Sequence, residues 1–228
     1  MCPSYIALHG YTGDGGRIGA AGLPADYRHL TAANSPAREG QAYNYKMLDA
    51  YAATFKRQFD EDYRIRSFYL YSEEPGTGKT TTAAALLNEY LTAHYIGSLQ
   101  RGITPLERPA YFLDVNAWQK DFNAFNRPRV PEETAQPAAA RFYRVMTIAM
   151  KVPFLVADDI GVREASQAFR ADLHVIMDER ASNGLPTVYT SNIPMVETLQ
   201  LFDARIADRI RDMCQELPFE GKSKRGRR

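Results

Sequence analysis

Apolar residues fall into two alternating kinds of stretch along the chain. Short apolar runs at residues 68–71, 111–115 and 185–190 read as strands, and VPFLVADD as a strand buried on both faces. Between them, apolar residues recur at helical spacing. Tyr45, Leu48, Tyr51, Ala52 and Phe55 do so within residues 42–59, and Leu86, Leu87, Tyr90 and Leu91 in TTTAAALLNEYLTAHYI. Further helical stretches are expected at residues 116–125, 138–150, 169–182 and 196–213, with a proline- and charge-rich loop at 126–137. Strands alternating with helices predict an α/β fold, a parallel sheet flanked by helices on both faces.

The first 40 residues lack this order. Gly10, Gly13, Gly15, Gly16, Gly19 and Gly22 punctuate them, so an irregular arm is expected, with a short strand at residues 5–8. A glycine-rich phosphate loop is the alternative there, but no strong strand leads into it and no helix closely follows. The expected division is an arm or linker over 1–40, a core over 41–220 and a basic tail over 221–228.

The stretch SFYLYSEEPGTGKTTT joins a strand, a glycine turn and a helix start. Glycine at 76 and 78 removes side chains that would keep backbone N–H groups from converging on an anion. Pro75, Gly76, Thr77, Gly78, Lys79, Thr80 and Thr81 are therefore the expected phosphate cradle, with Lys79 on the β- and γ-phosphates and the Thr80 hydroxyl on Mg²⁺. Glu73 stands where the motif's first glycine is usual. It shapes the turn leaving the strand, so altered affinity is expected and not loss of the site.

Asp158 and Asp159 end a buried strand, where open parallel sheets place their ligands. Asp158 is assigned to Mg²⁺ and Asp159 to polarising the attacking water. Two adjacent carboxylates at a buried edge repel, which favours a cation over a plain turn cap. Asn192 ends the following strand, where its amide suits the γ-phosphate or the attacking water; Ser-Asn before proline is also an ordinary turn. Arg205 and Arg209, four apart in ARIADRIRD, share a helix face. They are read as an arginine finger for a neighbouring subunit, Arg209 ahead of Arg205, or as a salt-bridged helix end.

The composition is that of an ordinary globular protein, with no apolar run near the roughly 18 residues of a membrane span. The N-terminus has no charged-then-apolar signal pattern, so the expected location is the cytoplasm, with no membrane partner. Two cysteines make no disulfide framework. They read as reduced thiols, and Cys2 is also compatible with the last ligand of a zinc module upstream in a longer parent. Net charge is +1, but five basic residues crowd positions 222–228, leaving the remainder acidic on balance. A nucleic-acid surface must then be a local patch or the tail. One candidate patch spans residues 116–151, where Lys120, Arg127, Arg129, Arg141, Arg144 and Lys151 alternate with Trp118, Phe122, Phe125, Phe142 and Tyr143. Bases can stack on aromatics beside a basic groove, though the same aromatics also suit a helical core.

EEPGTGKT, FLVADD, TSN and RIADRI, in that order, resemble the Walker A, Walker B, sensor 1 and arginine-finger segments of AAA+ ATPases. GLPADYRHL, DDIG, LPTVYTSN and the ending ELPFEGKSKR make the chain similar to the bacterial and phage replicative helicase loaders of the DnaC and DnaI type, over about residues 20–225. The resemblance implies an AAA+ P-loop NTPase with little or no C-terminal helical lid. It implies ATP and Mg²⁺ as cofactors, slow hydrolysis acting as a switch, and self-association into a ring or spiral with sites between subunits. The implied partners are a hexameric replicative helicase of the DnaB type and single-stranded DNA, contacted within residues 116–151. Arg225 maps to the arginine of a closing G-x-S-x-R, a sensor 2 residue in that family; a basic tail is the other reading. An IstB-type transposition helper shares nearly every motif. A non-hydrolysing nucleotide-gated module is the reading suggested by Glu73 and Asp159. A small-molecule kinase would not need RIADRI.

Overall fold

A computed structural model describes residues 2–161, 165–200, 204–221 and 223. Among them, five strands form one parallel sheet: β1 (Ser67–Tyr71), β2 (Ala110–Asp114), β3 (Phe154–Asp158), β4 (Thr187–Ser191) and β5 (Cys214–Pro218), in the order β2-β3-β4-β1-β5. The chain leaves β1 for the far edge, returns through β3 and β4, and ends on the other side of β1. The C-terminal end of β1 is thus flanked by the ends of β4 and β5.

Side chains alternate across this sheet and build two cores. Phe68, Leu70, Phe112, Phe154, Val156 and Val188 face one side, against α3 (Ala42–Ala53) and the 22-residue α4 (Lys79–Gln100). Tyr69, Leu113, Leu155, Ala157 and Tyr189 face the other, against α5 (Val115–Asn126), α6 (Glu132–Lys151), α7 (Gln167–Ser182) and α8 (Ala204–Met213). Both faces are covered, which is why the strands read as apolar runs rather than alternating ones.

Four local expectations need correction. Residues 5–8 lie in a helix, α1 (Pro3–His9), not a strand, because Pro3 opens it at a position that lacks an amide partner anyway and Gly10 closes it. A second short helix, α2 (Gly16–Ala20), follows, and the glycines permit close contact: a Cβ on Gly16 would lie 2.6 Å from the Leu8 carbonyl oxygen. The arm is also less irregular than expected, since Ile18, Ala21, Leu23 and Ala37 are buried in the α4-side core. Helix α6 starts at Glu132, not after Pro137, since Glu132 and Glu133 suit a helix N-terminus and an early proline removes only one helical bond.

The remaining correction is β5, a strand where no strand was expected. CQELP offers only Cys214 and Leu217 to the core, too few for a pattern, and its extended form is supplied by the β1 ladder beside it. Of residues 196–213, expected to be mostly helix, the described ones lie in a 3₁₀ turn (Met195–Gln200) and α8 (Ala204–Met213).

Candidate functional site

The turn after β1 leads straight into α4. Gly76 and Gly78 hold φ of 76° and 103°, left-handed values that favour glycine. Gly78 is required for space as well: a Cβ there would sit 2.5 Å from the Ala37 methyl. It is the N-cap of α4, where no side-chain cap is made and no acid occupies the first turn, so the positive end of a long helix faces the loop. The Thr77 carbonyl accepts from Gln41 Nε2 at 3.4 Å, and the same amide donates to the Glu220 carbonyl at 2.6 Å. Glu73 turns away from the loop, accepting from the Tyr71 hydroxyl at 2.9 Å.

Lys79 is buried and its ammonium donates to the carbonyls of Ser72 (3.1 Å) and Glu74 (3.4 Å) and to Asn192 Oδ1 (2.8 Å). Two residues singled out in the sequence, 113 positions apart, therefore meet directly. Beside them the Thr80 hydroxyl donates to Asp158 Oδ1 at 2.9 Å, and the Thr190 hydroxyl donates to the same oxygen at 2.7 Å. Burial pushes the Asp158 carboxyl up to about 6. The hydroxyls of Thr190 and Thr80 pull it down, while Asp159 and Asp114 push it up by repulsion.

Asp159 adopts φ of 59°, uncommon for a residue with a Cβ, though aspartate tolerates it better than most. Two bonds fix it there: its N–H donates to Thr190 Oγ1 at 2.8 Å, and its Oδ2 accepts from Asn116 Nδ2 at 2.7 Å. Thr190 thus holds both acids. Sequence reasoning missed Asn116 and the role of Thr190. The only signal for Asn116 was its place just past the end of β2, on a helix capped by Asp114 accepting from Ala117 N–H at 2.9 Å.

The donor set fits a nucleotide with a hard divalent cation. Thr80 and Asp158 offer oxygen only, and Mg²⁺ commonly takes one or two protein oxygens with water and phosphate completing the shell. Among the described residues no cluster of three or more His, Cys, Asp or Glu could hold a metal by itself.

Other expected site residues lie elsewhere. Arg209 forms an ion pair with Asp178 and donates to Ser182 Oγ at 2.9 Å, both on α7 of its own chain. Arg205 is on α8, but its side chain lies outside the described residues, as does Arg225 altogether. In the 116–151 stretch, Trp118, Phe122 and Phe142 are buried core residues. Trp118 and Phe142 stack at 4.5 Å, so these three are not free to stack on bases. Tyr143 remains exposed, and Arg141 pairs with Asp121 at 2.8 Å.

Residues 132–228 match the family model described as IstB-like ATP binding protein. That match begins after the phosphate loop and takes in both acids and Asn192. The replicative helicase loader DnaC of Escherichia coli (strain K12) is 31% identical over 157 residues, 68% of this chain and 55% of the relative. The chain thus spans about half the length of the curated relatives it matches. Two solved structures share the fold: that of DnaI (19% identity, TM-score 0.61, 92% of this chain and 100% of that one) and that of the DnaC helicase loader (17%, 0.60, 86% and 100%).

Proposed function

We propose that this chain, which belongs to the AAA+ ATPases of the DnaC and DnaI helicase-loader type, is an ATP-dependent loader that helps place a hexameric replicative helicase on single-stranded DNA. The observation that carries the nucleotide part is the meeting of Lys79 with Asn192 beside the Thr80–Asp158–Thr190 cluster, at the C-terminal ends of β1, β3 and β4. In this reading residues 41–220 are the ATPase core, residues 1–40 an arm laid on it, and residues 221–228 a basic tail. Among the described residues no helix is long and apolar enough to cross a membrane.

Lys79 and the α4 N-terminus supply positive charge to the phosphates, while Thr80 and Asp158 are the groups that would hold Mg²⁺. The cation, when bound, neutralises charge on the phosphate oxygens. Asp159 orients water for attack on the γ-phosphorus, whose bond to the bridging oxygen breaks. Asn192 is the candidate to register whether that phosphate is present, a reading supported by its bond to Lys79. Arg209, once released from Asp178, is the candidate finger toward a neighbouring subunit, and Arg205 and Arg225 are further candidates. Strand contacts are assigned to the α5–α6 surface, without Trp118, Phe122 and Phe142.

Lys79→Ala is expected to abolish ATP binding with the fold intact, and Asp159→Asn to keep binding and stop turnover. Parental hydrolysis by both variants would remove the site assignment. Co-purification with the host's replicative helicase tests the partner. The IstB-like match favours a second reading, a transposition helper, and capture of a transposase instead of a helicase would select it. Single-turnover assays without any hydrolysis would leave a nucleotide-gated binding module.

A further inference from the structure

A second concave site lies away from the phosphate loop, at the edge of the sheet. Segment 19–22 runs along β2 and is tied to it by Phe112 N–H donating to the Ala21 carbonyl at 2.8 Å. Gly22 makes this approach possible: its φ is 75°, and a Cβ there would meet the Tyr111 ring at 2.9 Å. Together with α6, the segment borders an open surface cleft of about 490 Å³, with Arg108 and Arg144 exposed on its rim.

The cleft is lined by Arg108, Arg144, Tyr111, Val145 and Ile148, and none of its lining residues is a carboxylate. Arg108 spends its Nε on the Ala20 carbonyl at 2.7 Å, which fixes the guanidinium against the wall. Among the described residues its other nitrogens, and all those of Arg144, have no hydrogen-bond or ion-pair partner. Both guanidinium charges act on the Tyr111 phenol, partly offsetting the burial that raises it; Asp121, which acts the other way, is already paired with Arg141.

We propose that this cleft is a second anion site that takes the phosphate ester of a nucleotide, free or within a strand. Two planar guanidiniums and a phenol O–H present donors suited to phosphate oxygens, and an arginine fork favours such a group over a chloride-like point charge. The Tyr111 ring, Val145 and Ile148 add an apolar floor on which a base can lie. The site uses no residue of the phosphate loop, and its strand arm rests on the strand contacts proposed above for the α5–α6 surface, to which Arg144 belongs.

The test uses the full chain carrying Lys79→Ala, so that the phosphate loop does not compete. Wild-type protein saturated with a non-hydrolysable ATP analogue is the second background. Thymidine monophosphate and oligothymidylate are titrated separately by calorimetry. Arg144→Gln and Arg108→Gln should each weaken binding about tenfold, as loss of a charged hydrogen bond does, and Tyr111→Phe should weaken it less. Equal losses with both probes identify a free-nucleotide site, and binding of the oligonucleotide alone identifies a strand site. No binding of either probe, or affinities indifferent to all three substitutions in folded protein, overturns the proposal. Since neither background needs turnover, a failed ATPase reading and a failed cleft give different results.

Discussion

Asn116, in the first turn of α5, donates its side-chain amide to the Asp159 carboxylate across 2.7 Å. The bond joins the end of β2 to the end of β3 and sets which way the second acid points. Asn116→Ala should therefore leave nucleotide affinity near parental and change turnover, because it releases Asp159 without touching Lys79. Nucleotide binding and single-turnover hydrolysis measured on one preparation decide this. Equal loss of binding and turnover would mean that Asn116 only supports the local fold.

Arg209 is held by Asp178 and Ser182 in the isolated chain, so a finger role requires a neighbour to compete for it. Fingers are worth about 10³ to 10⁵ in rate in GTPases, so monomers should hydrolyse slowly and specific activity should rise with protein concentration. Mixing Lys79→Ala protein with Arg209→Ala protein should give more activity than the two apart. If the two variants co-assemble and mixing adds nothing, while Arg209→Ala and Asp178→Ala lower stability alike, Arg209 is a brace between α8 and α7.

His94 gives the fold a predictable acid sensitivity. Its Nε2 accepts from the Leu106 N–H at 3.2 Å, so the neutral ring carries its proton on Nδ1, toward Gln58 Oε1 at 2.7 Å. Burial, and then the Arg17 charge, lower its pKa from 6.5 to about 4. Between those values the unfolded chain takes up a proton that the folded chain refuses, so stability falls as pH drops through the window. The loss between about pH 7 and about pH 5 should be on the order of 2 kcal/mol. Urea unfolding at both values should show His94→Gln losing that part of the slope, and an unchanged slope would assign the effect to other groups.

Arg180 is fully buried with no carboxylate among its bonded partners in the described residues, and it donates to the carbonyls of Ala149, Val152 and Pro186 and to Thr187 Oγ1 at 2.7–2.8 Å. Burial lowers its pKa to about 10, so it stays charged at neutral pH while clamping the end of α6 to the start of β4. Arg180→Met strands three carbonyls and should cost about 3 kcal/mol or more. Arg180→Lys should recover only part, having no planar fork. A melting curve matching the parent for Arg180→Met would refute the clamp.

The strands β1, β3 and β4, the glycine turn and Lys79 with Thr80 were legible in the sequence because each is a local property. An unbroken apolar run can only be buried on both faces, and glycine followed by Lys-Thr at a helix start fits few other uses. The paired acids and Asn192 were legible once those strands were placed, since strand ends in a parallel sheet converge. What only the tertiary structure decided depends on contacts between distant segments. Asn116 gives no sign of its bond to Asp159 until β2 and β3 are neighbours. CQELP becomes β5 because β1 offers it a ladder, and the helical spacing of Trp118 and Phe142 left a base-stacking surface open beside a helical core until the two rings closed on each other and on Phe169 of α7. Gly22 looked like loop punctuation, yet it is dictated by Tyr111 pressing against it, and Gly78, legible as part of the phosphate turn, is required also by the Ala37 methyl. A pattern read along the chain reports what each segment needs, and burial of two faces at once is settled only by what the fold brings to the other side.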